Sequence, residues 1–512
     1  MKEDIESAID DAQPPPPGKE KPAKQRGGTQ ADALVRLAGE AALFHAPDGS
    51  AHADVMVADH RETWPVKSKG FRQWLARRFY EELGGAPNAD ALGASINLVE
   101  ARARFDGPQR AVHVRVGGSE GRLYLDLGDA QWRAVEIDAQ GWRIVEAPPV
   151  RFRRGTGALA LPEPEQGGSI EALRPFLNLR GAHDFTLAVA WLLAVLRDAG
   201  PYPILVLSGE QGSAKSTVSM MLRMLVDPAA APLRALSREE RDIFVAASNA
   251  HVLAYDNLSG LPPWMSDTLC RLSSGAGFAV RQLYTDQDEL LFDAARPVIL
   301  NGIEDIVTRP DLADRALFLN LEPIEPGQRR PMAELLAAFE AARPKILGAL
   351  LDALAHGLKH LPGTSLPHLP RMADFALWAT ACEAALFAPG SFWPAYIRNR
   401  GAAVEDVIDA DPVAGAIVTF MTSVPFWAGT CSDLLALLEA KVGERVVKSR
   451  DWPGNARKLG NRLRRIATVL RETGIDIRFE RSHGARVIHL SSKGKEAETT
   501  TRTAPSSWSA TL

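Results

Sequence analysis

The periodicity of hydrophobic and polar positions changes several times along the chain and divides it into segments. In residues 31–165, a helical apolar face around 71–79 comes before four short runs with the character of strands. Turns that contain glycine separate these runs, which indicates an antiparallel meander within one α+β domain. The four predicted strands are 111–116, 122–127, 131–137 and 142–146.

The remaining pattern predicts an α/β core followed by helical segments. Residues 170–330 alternate apolar strand-like runs with helical patterns, which is typical of a mostly parallel sheet. Residues 331–405 are rich in Ala and Leu, and Pro344 is expected to break their helical pattern, giving a lid or connector. Residues 406–490 show three helical patterns and then a β-hairpin, which favours a winged helix that binds DNA.

Composition narrows the class of protein. The chain has 512 residues, a net charge of −4 and three cysteines, none of them in a CxxC pair. This excludes a disulfide scaffold and a cysteine zinc site, and it fits a cytoplasmic protein. No apolar run reaches the roughly 20 residues of a membrane span, so no membrane association is expected. Residues 1–30 and 491–512 are proline-rich or polar and are predicted to be disordered tails.

The strongest chemical signal follows the apolar run 204–208. A loop with two glycines leads into Lys215 and a helical pattern, which is the strand–loop–helix arrangement of a P-loop. In such a loop, backbone N–H groups and the helix N-terminus bind phosphate, the lysine reaches the β- and γ-phosphates, and Ser216 is a ligand of Mg²⁺. Ala214 replaces the usual glycine, which costs about 1 kcal/mol or more if its φ is positive. The predicted ATP·Mg site consists of Gly209, Glu210, Gln211, Gly212, Ser213, Ala214, Lys215, Ser216 and Thr217.

Further polar residues are predicted to join Lys215 in catalysis. Asp256 ends an apolar run and is expected to hold Mg²⁺ through water. Asn257 stands where many motor ATPases have a second carboxylate, so either hydrolysis is slow or another acid assists it. Asn301 ends a third apolar run and is expected to contact the γ-phosphate or the attacking water. Arg315 is expected to stabilise charge on the γ-phosphate of a neighbouring subunit.

The order of these motifs resembles that of the superfamily III helicases, within the AAA+ class, over roughly residues 200–320. Between the second and third strands that family carries a hairpin with a basic residue that binds DNA in the pore of a ring, and Arg281 is the matching residue here. The whole chain also resembles the ATP-binding, helicase-like replication proteins of phages and integrated elements of actinobacteria and related bacteria. The resemblance implies a homo-oligomer, with a hexameric ring as one form, that acts on single-stranded or forked DNA.

Positive charge is concentrated near the C-terminus. Residues 441–489 contain 13 Lys and Arg against 5 Asp and Glu, although the whole chain is negative. Clustered basic residues on one helix are the electrostatic pattern of phosphate contacts, and a face that only keeps the protein soluble is the alternative. The residues predicted to contact DNA here are Arg462, Arg464, Arg465 and Arg481.

The P-loop motif together with this resemblance therefore favours an ATPase with an AAA+-like core that acts as a DNA helicase or translocase in phage or mobile-element replication. A second class stays open, namely a non-motor ATP switch that assembles on DNA as a replication initiator or loader and hydrolyses ATP weakly. Asn257 favours the switch, whereas Arg281 and Arg315 favour the motor.

Overall fold

A computed structural model describes most of the chain. The described residues are 29–179, 181–275, 278–281, 289–292, 295–302, 306–482 and 485–492. The two predicted tails lie almost entirely outside these ranges. The chain divides between Ala111 and Val112 into two compact units. Among the described residues, no helix is both long enough and apolar enough to cross a membrane.

The first unit combines an antiparallel sheet with helices. Its elements are α1 (Gln30–Ala38), β1 (Ala42–His45), β2 (Ala51–Val57), β3 (His60–Pro65), α2 (Lys69–Leu83) and α3 (Ala89–Phe105). The sheet has the order β1-β2-β3, and the sequence did not predict it. Helix α2 carries the expected apolar face, because Phe71, Leu75 and Phe79 are buried with Leu34 and Val99 in one core.

The predicted meander is present, but it belongs to the second unit. Its strands are β4 (Val112–His113), β5 (Val116–Ser119), β6 (Arg122–Asp126), β7 (Ala134–Asp138), β8 (Gly141–Val145) and β9 (Arg151–Phe152). The antiparallel order β5-β6-β7-β8 agrees with the sequence pattern, but the first strand of the meander is Val116–Ser119 and not the predicted 111–116, of which Val112–His113 pairs with β9. The unit boundary differs from the predicted domain 31–165, because Leu125 and Val135 are buried in the same apolar cluster as Trp191. In addition, the indole N–H of Trp142 donates to Asp352 Oδ1 at 2.8 Å.

The centre of the second unit is a parallel sheet with helices on both faces. Its elements are a 3-10 turn (Ile170–Phe176), α4 (Ala182–Val195), β10 (Ile204–Gly209), α5 (Lys215–Val226), α6 (Glu240–Asn249), β11 (Leu253–Leu258), α7 (Pro263–Ser274), β12 (Phe278–Arg281), β13 (Glu289–Phe292), β14 (Val298–Gly302), α8 (Pro310–Ala313) and β15 (Ala316–Leu321). The parallel strands have the order β11-β14-β10-β15. In β10, Leu205 and Leu207 belong to one apolar cluster and Ile204 and Val206 to the other, so both faces are buried.

Strands β12 and β13 form an antiparallel hairpin, which lies between β11 and β14 along the chain. Arg281 pairs with Glu289 in its register, at the place where the sequence predicts a basic hairpin. The side chain of Arg281 lies outside the part of the chain that the structure describes, so its contact with DNA stays a prediction.

The helical connector is longer and less broken than the sequence predicts. It contains a 3-10 turn (Pro326–Gln328), α9 (Met332–His360), a second 3-10 turn (Leu361–Gly363), α10 (Ala373–Glu383) and α11 (Phe392–Ala410). Pro344 lies inside α9 and does not end it, which corrects the expected break. Proline within a helix costs about 3 kcal/mol, but Phe339, Ile346 and Leu350 are fully buried on either side of it, and this burial holds the helix together.

The C-terminal region contains three larger helices and a small antiparallel sheet. Its elements are α12 (Pro412–Ser423), β16 (Phe426–Thr430), α13 (Cys431–Lys441), α14 (Glu444–Val447), α15 (Ala456–Glu472), β17 (Ile475–Ser482) and β18 (Ala485–Ser492). The predicted helices, the hairpin and the capping box of Thr430 with Asp433 are confirmed. Strand β16 and helix α14 were not predicted, and the assignment as a winged helix stays a prediction. Leu459 and Leu463 share an apolar cluster with Leu253 of the parallel sheet, so this region packs on the core.

Candidate functional site

The parallel sheet brings distant polar residues to one edge. The carboxyl ends of parallel strands meet at the same edge of a sheet, and Leu207 pairs with Asn301 across β10 and β14. The loop that begins at the last residue of β10, residues 209–214, is called the glycine loop below. It lies at this edge together with Asp256, which is near the end of β11.

The glycine loop has a backbone that only a few residue types adopt easily. Gly209 has a φ of 147°, and a Cβ there would lie 2.5 Å from the carbonyl oxygen of Leu321, so no side chain fits. Ala214 has a φ of 66° and a ψ of 26°, which is the left-handed conformation. The positive φ for which the sequence analysis expects an energetic cost is therefore present. For alanine this conformation costs roughly 1–2 kcal/mol. The chain therefore maintains a strained turn at the start of α5.

Lys215 folds back over the glycine loop. Its ammonium donates to the carbonyl oxygens of Gly209 at 2.7 Å and Glu210 at 2.8 Å, and it lies 3.4 Å from Ser213 Oγ. Burial lowers the pKa of Lys215, while the nearby Asp256 carboxylate acts in the opposite direction. The positive charge is thus held at the mouth of the loop.

Ser216 and Asp256 are in direct contact. The Ser216 hydroxyl donates to Asp256 Oδ1 at 2.7 Å, from the first turn of α5 to β11. Hydroxyl and carboxylate oxygens suit Mg²⁺, which usually keeps several waters and takes further oxygens from phosphates. Within the described ranges, no group of three or more His, Cys, Asp or Glu could hold a metal ion. The Ser216 hydroxyl and the Asp256 carboxylate thus place two oxygen atoms of the kind that binds Mg²⁺ next to each other.

Asn301 is a buried residue in β14. It is 1% exposed, and its amide Nδ2 donates to Ser219 Oγ at 2.8 Å. Its Oδ1 accepts the backbone N–H of Asn257 at 3.0 Å. Through these two bonds the amide ties β11, β14 and α5 together. The expected contact of Asn301 with the γ-phosphate stays a prediction, and the structure adds a positioning contact to the backbone of Asn257.

Asn257 occupies a second left-handed position, with a φ of 59°. Asparagine tolerates this region better than most residues, so the choice of Asn has a backbone reason as well as a chemical one. The side chain is exposed, next to an open cavity of about 480 Å³ that is lined by residues 233–236 and 256–260. Space for a bound group thus adjoins Asp256.

Arg315 lies at the opposite edge of the sheet from the glycine loop. It precedes β15, whose Ala316 pairs with Ile204 and whose Leu321 pairs with Gly209. Six paired residues at about 3.3 Å each separate the two edges by roughly 17–20 Å. The Arg315 guanidinium donates to the carbonyl oxygen of Asp311 at 2.7 Å. Arg315 is therefore too far from the glycine loop of its own chain to touch a group bound there.

The four C-terminal arginines have different surroundings. Arg462 forms an ion pair within the protein: its Nε donates to Asp411 Oδ2 at 2.7 Å, and Asp411 caps α12. This pairing argues against the predicted DNA contact of Arg462. Arg464 is exposed and lies over the ring of Phe479, with its Cζ 5.2 Å from the centroid. Arg465 and Arg481 are exposed as well, as a DNA contact requires.

Sequence reasoning missed a residue that holds the glycine loop. The Asn178 amide Nδ2 donates to the Ser213 carbonyl oxygen at 3.0 Å and also to the carbonyl oxygen of Glu322. It therefore fixes the loop to the end of β15. A single asparagine about 30 residues before the loop follows no periodicity, so no sequence pattern marks it.

Two segments of the chain match models of replication proteins. Residues 170–393 match the actinomycete integrative conjugative element replication protein, and residues 413–506 match the C-terminal domain of the same kind of protein, AICE RepA. Together these segments cover more than half of the chain and include the glycine loop and α15. The matches identify the chain as similar to the replication proteins of these mobile elements. No curated protein matches the chain.

Two solved structures show a remote structural likeness to this chain. The apo C-terminal region of NrS-1 is 10% identical with a TM-score of 0.40, and the likeness covers 90% of this chain and 98% of that one. The active helicase Cch of SCCmec type IV is 12% identical with a TM-score of 0.43, and the likeness covers 88% of this chain and 92% of that one.

Proposed function

We propose that this protein is an ATP-dependent DNA motor of the helicase or translocase type that acts in the replication of a mobile element. The observation that carries the proposal is the contact between Ser216 and Asp256 beside a glycine loop that holds Lys215. The match to replication proteins of integrative conjugative elements supports the setting in which the motor acts.

The residues at the sheet edge fit ATP·Mg. Backbone N–H groups of the glycine loop and of the first turn of α5 would bind the phosphates, and the Lys215 ammonium would move from the loop carbonyls to phosphate oxygens. Ser216 and Asp256 would hold Mg²⁺, Asp256 through water. The ion neutralises phosphate charge when it is bound. Asn301 would keep the backbone of Asn257 in position against α5.

DNA would be bound by exposed basic residues at two places. Arg464, Arg465 and Arg481 are the candidates in the C-terminal region, and Arg281 is the candidate in the hairpin of β12 and β13. Hydrolysis would move this hairpin along single-stranded or forked DNA. Because Arg315 lies far from its own glycine loop, we infer that it acts on the site of a neighbouring subunit, so the active form is an oligomer, for which a ring of six is one arrangement.

The experiment that tests the proposal is steady-state ATP hydrolysis by the full chain with and without single-stranded DNA. Wild type is expected to hydrolyse ATP faster with DNA, and Lys215→Ala is expected to lose nucleotide binding and turnover. Lys359→Ala, an exposed lysine at the end of α9, is the matched control and should behave as wild type. If Lys215→Ala binds nucleotide as tightly as wild type, the glycine loop is not the nucleotide site.

One observation favours a second function, a non-motor switch in which bound ATP assembles the protein on DNA. Asn257 cannot act as a base, and its left-handed backbone limits which residues could replace it. Asn257→Asp supplies a carboxylate at little backbone cost, and positioned bases typically contribute about 10²–10⁴-fold. Slow wild-type turnover that rises strongly in Asn257→Asp indicates the switch. Fast wild-type turnover without such a rise indicates the motor.

A further inference from the structure

The segment after β15 is packed against the glycine loop. A Cβ on Gly209 would collide with the Leu321 carbonyl oxygen at 2.5 Å, so the two backbones touch. The backbone N–H of Ile324 donates to the Gly212 carbonyl oxygen at 3.4 Å. Asn178 bridges the same two pieces of chain. The segment that leads from β15 to Arg329 therefore lies against the glycine loop.

This path places the guanidinium of Arg329 beside the glycine loop. Arg329 Nε donates to the Ile324 carbonyl oxygen at 3.4 Å, which holds the side chain against its own segment. A Cβ built on Gly212 would lie 3.6 Å from Arg329 Nη2. The guanidinium thus comes within van der Waals distance of the position at which a side chain on Gly212 would begin.

Arg329 also forms no ion pair within the part of the chain that the structure describes. Among the described residues, no Asp or Glu lies within ion-pair distance of its guanidinium, and the residue is exposed. Arg309 and Arg400 differ in this respect, because they pair with Asp267 and Asp314 at 2.7 Å and 2.6 Å. Most of the five N–H donors of Arg329 are therefore available beside a loop whose backbone is shaped to bind anions.

We propose that Arg329 binds the phosphates of the nucleotide in cis, as a second cation beside Lys215. The proposal rests on the function proposed above, since it concerns the same site. A guanidinium suits this task, because it is always charged and binds two phosphate oxygens at once. The site would then combine Arg329 from the same chain with Arg315 from a neighbour. Nothing in the sequence motif of the loop identifies Arg329, because it lies more than 100 residues downstream.

A purely structural role is the alternative, in which Arg329 only fixes residues 324–329 through its bond to Ile324. The two roles differ in what a lysine can replace. Arg329→Lys would keep a positive charge near the phosphates but would remove the Nε donor that bonds Ile324. A phosphate contact is therefore partly rescued by lysine, whereas a structural contact is not.

The experiment measures the Kd of a fluorescent ATP analogue with Mg²⁺ for the full-length chain. Arg329→Ala is expected to weaken binding at least about tenfold, because a hydrogen bond to a charged group is removed. Arg329→Lys should recover part of that loss. Arg330→Ala is the matched control, an exposed neighbour for which we expect less than about a twofold change. The melting temperature should be the same in all four proteins.

Three results would overturn the inference or its basis. If wild type binds and Arg329→Ala binds equally well, Arg329 does not touch the nucleotide. If Arg329→Ala and Arg329→Lys lose affinity equally and both melt earlier, the residue is structural. If wild type itself does not bind ATP·Mg, the proposed function fails, and the inference falls with it.

Discussion

The hydroxyl of Ser216 and the carboxylate of Asp256 meet at 2.7 Å, although 40 residues separate them in the chain. The contact exists because β10 and β11 end at the same edge of one parallel sheet, with β14 between them. Oxygen ligands from the first turn of α5 and from β11 would fix one side of a cation site, and the phosphates of a nucleotide would supply the other. Each residue can therefore be tested through its dependence on Mg²⁺.

The first prediction concerns this pair. Asp256→Ala should weaken ATP binding at least about tenfold in the presence of Mg²⁺, because a charged ligand and its hydrogen bonds are lost. Without Mg²⁺ the affinity should change much less, since the loop and Lys215 remain. Titration of nucleotide with and without a chelator measures both values. Asp242→Ala, an exposed carboxylate on α6, is the control. Equal loss with and without Mg²⁺ would contradict the assignment.

The second prediction uses the backbone strain at Ala214. Its φ of 66° is left-handed, so Ala214→Gly should raise the free energy of unfolding by about 1 kcal/mol, which is roughly 2 °C in melting temperature. Ala337→Gly in the exposed part of α9 should lower stability by about the same amount, because glycine is a poor helix former. The melting temperature should therefore rise in Ala214→Gly and fall in Ala337→Gly. A lower melting temperature in Ala214→Gly would contradict the strain at this position.

Some of the site could be predicted from sequence because it is local. The glycine loop, Lys215 and Ser216 form one uninterrupted motif, and an apolar run marks the strand before it. The burial of Asn301 could not be predicted, because the same strand-end asparagine faces either inward or outward depending on Ser219, which is 82 residues away. The ion pair of Arg462 could not be predicted for a similar reason, since its partner Asp411 lies 51 residues upstream.

The fold shows the same division between local and long-range information. Alternation predicts the strands of the meander, and a capping box predicts the start of α13, because these signals act within a few residues. The boundary near Ala111 could not be predicted, because it depends on which surface covers Leu125 and Val135. The continuity of α9 through Pro344 is also a tertiary effect, since buried neighbours outweigh a local cost.

The third prediction concerns pH. Burial lowers the pKa of His251 to about 4, and its Nε2–H donates to the Val195 carbonyl oxygen at 2.7 Å. Unfolded histidine titrates near 6.5, so between about pH 6.5 and 4 the unfolded chain binds the proton and the folded one does not. Stability should therefore fall by about 2 kcal/mol from pH 7 to pH 5 through this residue.

The measurement for His251 is the change in melting temperature between pH 7 and pH 5. His251→Gln is expected to be less stable at pH 7 but to lose less on acidification, whereas the exposed His368→Gln should follow wild type. A steep, unchanged loss in His251→Gln would show that other groups control the acid sensitivity.

The fourth prediction separates the arginines of α15. Arg465→Ala should weaken binding of single-stranded DNA and reduce the slope of log K against log salt by about 1, because one phosphate contact is lost. Arg462→Ala should instead lower the melting temperature, because it removes the positive partner of the Asp411 carboxylate. Full-length protein is needed, since the C-terminal region packs on the core. If the slope is unchanged in Arg465→Ala, Arg465 does not contact a DNA phosphate, and its charge only helps to keep the protein soluble.

The last prediction is that Arg315 acts in trans. It lies about 17–20 Å from its own glycine loop, across the full length of β10 and β15, so it does not reach a group bound there within its own chain. An arginine that stabilises a γ-phosphate in this way contributes on the order of 10³–10⁵-fold to turnover. Lys215→Ala and Arg315→Ala should therefore each be nearly inactive. In mixed assemblies, some interfaces combine an intact Lys215 with an intact Arg315, and ATP hydrolysis should partly return. Arg371→Ala, which removes an exposed arginine near Asp314, serves as the control. If mixed assemblies form without any return of hydrolysis, or if a wild-type monomer is fully active, Arg315 does not act in trans.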